Sequence, residues 1–88
     1  MENTKLRQEV RSLVAEIFQV PMEQVPEELA FGDLPQWDSM GHMDLMMALE
    51  SHYGVQISTD IIARLVNLPA ISAYLYETSL ADEKSRHV

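Results

Sequence analysis

An all-α fold, a small four-helix bundle with three main helices and one short one, is what this sequence predicts, and three observations carry it. Apolar residues recur at helical spacing in separate stretches, as helices with one buried face require. Between the stretches stand capping residues and helix breakers, among them Pro21, Asp38, Gly54, Ser58 and Pro69. The chain has 88 residues and no cysteine, which sets one domain and excludes disulfides and thiolate metal sites. A hydrophobic content of 47% supplies a core and argues against disorder.

The first helix is expected over Asn3 to Phe18. There Leu6, Val10, Leu13, Val14 and Ile17 line one side, and Asn3 or Thr4 can cap the start. Pro21 blocks continuation and pushes Val20 toward an extended backbone. Residues 19–38 form a long connection with Pro21, Pro26, Gly32 and Pro35. Its Val20, Met22, Val25, Leu29, Phe31 and Leu34 should lie against the core.

The second helix is expected from Ser39 to Tyr53, with Asp38 as N-cap and Gly54 as a left-handed stop. At about 100° per residue, His42, Leu45, Met46, Leu49 and Tyr53 fall on one face. Met40, Met43 and Met47 fall on another, beside Asp44 and Glu50. Val55 to Ile57 read as an extended link. Ser58 or Thr59 can cap a brief third helix carrying Ile61, Ile62 and Leu65. Asn67 and Pro69 open the last helix, expected to run to about Thr78. Residues 1–80 thus form the domain, and 81–88 a polar, frayed tail. The core around Leu45, Leu49, Ile57, Ile62, Leu65, Ile71 and Leu75 could open a groove for an aliphatic chain.

Charge narrows the function. Six Lys and Arg against fourteen Asp and Glu give a net charge of −8, and every charged residue between Arg11 and Arg64 is acidic. Nucleic acid is excluded as a partner, because binding phosphates needs cations to displace counterions. Basic partners are favoured instead. No apolar run approaches the ~20 residues a membrane span needs, and Met1 to Lys5 do not resemble a signal peptide. A cytoplasmic location and a monomer are the expectations.

The informative segment is Leu34-Pro35-Gln36-Trp37-Asp38-Ser39-Met40. It sets a serine hydroxyl on an exposed corner at the start of a helix. Free N–H groups and the positive end of the helix dipole there favour an added phosphate. An Asp-Ser pair before a helix is also ordinary capping, so the dipeptide alone is weak. Ser39 and His42 stand three apart, but no third group orients the imidazole and no oxyanion hole is evident, so a hydrolytic dyad is rejected. His42 is expected on the core side and hydrogen-bonded. His52 and His87 have no partners at metal-ligand spacing and read as surface residues. Trp37 is expected to anchor the loop by burying its ring.

From about Thr4 to Tyr76 the sequence resembles the acyl and peptidyl carrier protein family. The resemblance rests on the run LPQWDSMGHMDLMMALESHYGVQIS and on Phe31 before it. It implies a bundle of the acyl-carrier-protein type and a stand-alone carrier rather than an enzyme. Ser39 matches the serine that receives 4′-phosphopantetheine from coenzyme A, and Asp38 the acid that helps hold the magnesium of the phosphopantetheinyl transferase. Met40, Met43, Asp44, Met47 and Glu50 match the positions that meet partner enzymes: the transferase, the enzyme that loads the acyl or aminoacyl group, and the downstream synthases or transferases. Met40 replaces the usual Leu of the family's Asp-Ser-Leu. Gly41, His42, Ser51 and His52 make the helix less acidic than in carriers of primary fatty-acid synthesis. The Leu-Pro-x-Trp-Asp-Ser-x-Gly-His run is more similar to carriers of specialised polyketide, nonribosomal peptide and sugar- or glyceryl-modifying pathways. The competing reading is a small acidic helical adaptor that binds a basic partner through Met40, Met43 and Met47 without a cofactor.

Overall fold

The computed structural model describes residues 4–86, with side chains as far as Thr78. It contains four α-helices: α1 (Thr4–Phe18), α2 (Ser39–Tyr53), α3 (Thr59–Arg64) and α4 (Leu68–Arg86), with one 3-10 turn at Met22–Gln24. The described residues form no strand, only an isolated bridge between Ala30 and Asn67. The all-α bundle expected from periodicity is the fold observed.

α1 buries Val10, Val14, Ala15 and Phe18 and packs against α2 and α4. It stops before Pro21 exerts its effect. Gln19 takes a left-handed φ of 59°, its N–H reaches the Glu16 carbonyl (3.3 Å), and the Val20 N–H reaches Ala15 (3.0 Å). This is the paired closure that satisfies the last carbonyls of a helix, here made without glycine. Arg11 then ties the connection down, its Nε donating to the Val25 carbonyl at 2.6 Å.

The connection is ordered by backbone bonds to the link between α3 and α4. Phe31 N–H donates to the Val66 carbonyl (2.8 Å), and Leu68 N–H to the Leu29 carbonyl (2.9 Å). Val25 and Leu29 enter the core as expected, but Met22 and Phe31 do not and remain exposed. The bridge fixes the backbone of this segment and not the depth of each side chain, so Phe31 stays at the surface with its ring edge-on to His42.

The later caps are local and were readable. Gly54 has φ 67° and closes α2. Ser58 Oγ accepts from Ile61 N–H at 3.4 Å, and Asn67 Oδ1 from Ala70 N–H at 2.8 Å. α4 continues to Arg86 instead of ending near Thr78, since no Pro or Gly occurs between Ser79 and Arg86 to stop it. The final two residues of the expected tail lie outside the described residues. Among the described residues no helix is long and apolar enough to cross a membrane.

Tyr53 turns its hydroxyl into the bundle, where it makes no hydrogen bond of acceptable geometry. Burial pushes the phenol above its ordinary value, and the Glu9 carboxylate beside it adds to the shift. A raised folded-state value means that the neutral phenol contributes its stability below about pH 10 and loses it as the pH climbs further. Tyr53→Phe removes an unpaired polar atom. It is expected to match or exceed the native chain in urea midpoint at neutral pH, and to lose less stability between roughly pH 9 and 11. A lower neutral-pH midpoint in the variant would show that the hydroxyl is satisfied, and a larger alkaline loss in the variant would show that the phenol is not raised.

Candidate functional site

The site is the corner where the long connection enters α2. Asp38 is extended (φ −107°, ψ −163°), and its Oδ1 accepts from Gly41 N–H at 2.9 Å. The carboxylate is therefore the N-cap, with Oδ2 left over. Ser39 is the first helical residue and exposed. No described side chain hydrogen-bonds its hydroxyl. Asp38→Ala should cost about 1 kcal/mol of stability by the usual worth of such a cap, whereas Asp38→Asn should keep most of it. Urea unfolding of the two variants checks this, and equal losses would mean that the cap is not made by the side-chain oxygen.

Behind the corner is an aromatic cluster built on the buried Trp37 and His42. Trp37 is 0% exposed and lies tilted against Phe18, with ring centroids 5.9 Å apart. Its indole N–H donates to His42 Nδ1 at 3.0 Å, while His42 Nε2 lies 2.9 Å from the Ile62 carbonyl. Phe31 stands edge-on to the His42 ring at 5.6 Å. Trp37 thus anchors the loop, and His42 faces the core instead of pairing with Ser39. Gly41 lies under the loop backbone, where a Cβ would run into the Gln36 carbonyl.

The outer face of α2 carries Met40, Met43 and Met47, which are 79%, 45% and 62% exposed, with exposed Asp44 among them. Glu50 differs from this set. It is half-buried, and its Oε2 accepts from Ile57 N–H at 2.8 Å, fixing the link between α2 and α3. Sequence reasoning missed that tie and the exposed Phe31–Val66 pair beside the corner. The exposed pair had no readable signal, because its residues are far apart in sequence. His52 is exposed and lies against the Tyr53 ring (4.6 Å). His87 lies outside the described residues.

A helical bundle that presents a free serine hydroxyl at a capped helix start is the architecture of phosphopantetheine-bearing carrier domains. The family described as "Phosphopantetheine attachment site" matches residues 8–75. The chain is 30% identical over 76 residues to the acyl carrier protein of Helicobacter pylori (strain G27), covering 86% of this chain and 97% of that one. It is 31% identical over 65 residues to the acyl carrier protein of Thermosynechococcus vestitus, covering 74% and 80%. The chain belongs to the acyl carrier protein family. It is a carrier, not a catalyst, and its prosthetic group is 4′-phosphopantetheine.

The corner suits that group. Besides Gly41 N–H, which Asp38 caps, the first turn of α2 leaves N–H groups without helical partners and holds no acidic residue of its own, an arrangement that favours an anion. Ser39 is exposed. The exposed Met40 beside it is soft and adaptable.

Proposed function

We propose that this protein carries an acyl or aminoacyl group on a 4′-phosphopantetheine arm attached at Ser39, passing it between cytoplasmic enzymes of a specialised pathway. The observation that carries the site is the exposed Ser39 hydroxyl, unengaged and next to the Asp38 cap, in a chain of this family. In the transfer, Ser39 Oγ attacks the pyrophosphate of coenzyme A. An O–P ester forms as the phosphoanhydride bond breaks, the nucleotide half leaves, and the proton passes to a base on the transferase. Asp38 Oδ2 is free to reach the transferase's magnesium, an oxygen-liganded cation. Once attached, the arm supplies a thiol on which cargo is held as a thioester, which a chain without cysteine cannot provide itself. Met40, Met43, Asp44 and Met47 form the docking face for the transferase and the loading and accepting enzymes. Glu50 contributes from its edge.

The specialised pathway is favoured by α2 itself. Its two acids are Asp44 and Glu50, and Glu50 is half-buried and occupied by the Ile57 N–H, so Asp44 is the one acid this helix presents fully exposed. The test of the site is intact-protein mass. With coenzyme A, magnesium and a broad-specificity transferase, the native chain should gain one phosphopantetheine and folded Ser39→Ala none. Gain in both, or in neither, overturns the assignment. The pathway is tested separately: if a fatty-acid elongation system extends the loaded chain as fast as its own carrier, the specialised reading fails.

A further inference from the structure

α3 is the least anchored helix. None of its six residues is fully buried, and so short a helix has little stability of its own. The chain is held on either side of it. Ile57 is buried with its N–H bonded to Glu50, Leu65 is buried, and the Val66 carbonyl accepts from Phe31 N–H. Between those anchors, among the described residues, one hydrogen bond reaches α3 from another helix. It is His42 Nε2 to the Ile62 carbonyl, at 2.9 Å. Ile62 lies in the last turn, whose carbonyls have no partner further along the helix.

The direction of that bond is set at the other ring nitrogen. An indole N–H only donates, so His42 Nδ1 is the acceptor from Trp37. Nε2 therefore holds the proton and donates to Ile62. A directed chain runs from a buried tryptophan in the connection, through the first turn of α2, to the end of α3. It passes one helical turn from Ser39.

We propose that His42 is a latch on α3. It transmits the fixed position of Trp37 to the Ile62 carbonyl, and its opening frees α3 as a local unit beside Ser39. The latch does not depend on the carrier reading of Ser39.

The latch is tested on the unmodified protein by amide hydrogen exchange. His42→Phe keeps a ring and loses both bonds. His42→Gln offers a carbonyl to Trp37 and an N–H to Ile62. In His42→Phe the amides of residues 62–65 should exchange roughly tenfold faster relative to those of α1 and α4, and His42→Gln should restore most of the difference. Equal acceleration in every helix, or none in α3, overturns the latch by making His42 an ordinary core residue. If His42→Phe does not fold, the native ring nitrogens decide. Nitrogen NMR should find the proton on Nε2, and a proton on Nδ1 overturns the proposal.

Discussion

Trp37→Ala is expected to remove most of the stability of this domain. The ring is fully buried, lies against Phe18 and donates to His42. Truncating a buried Trp costs about 3–5 kcal/mol. A chain of this length has only roughly 4–13 kcal/mol in total, at the usual ~0.05–0.15 kcal/mol per residue. The variant also leaves His42 Nδ1 without its donor, a further cost of about 1–3 kcal/mol where water cannot enter. Far-UV circular dichroism should show a melting midpoint lower by about 15 °C or more. Trp37→Phe keeps the apolar bulk and should lose much less. A loss under ~1 kcal/mol in Trp37→Ala would mean that the ring is not part of the core.

The contrast between what could and could not be read in advance follows from the range of each interaction. Asp38, Gly54, Ser58 and Asn67 act within one helical turn, so their residue types announce them. The split of α2 into a buried Leu45–Leu49 face and an exposed methionine face follows from helical angle alone. His42 to Ile62, Glu50 to Ile57 and Arg11 to Val25 depend on how the elements dock. Nothing in the neighbouring sequence marks those pairs. The α1 stop was attributed to Pro21, whereas Gln19 makes it, because a left-handed residue other than Gly leaves little trace in sequence. The Ser39 corner was legible because its signals, a cap, a helix start and a family resemblance, are all contiguous.

Gly41→Ala sets two rules against each other, and its sign decides between them. Inside an exposed helix, alanine is worth about 1 kcal/mol more than glycine. By propensity alone the change would stabilise α2. Here the helix passes under the loop, and a Cβ would overlap the Gln36 carbonyl and press on Phe18 Cε1 at 3.3 Å. The obstacle is mainly backbone, which cannot rotate away as a side chain tip can. Relief requires the loop to lift from α2. Overpacking of this kind costs about 1–3 kcal/mol, and displacing backbone belongs at the upper end. After subtracting the propensity gain, a net loss of about 1–2 kcal/mol is expected in urea unfolding. Because Gln36 leads directly into Trp37, Asp38 and Ser39, the lifted loop should also disturb the cap and slow arm transfer to Ser39 more than the stability loss alone would. A stabilised variant with normal transfer would show that the loop does not bear on the first turn of α2, and would remove the close approach as the reason for a glycine at this position.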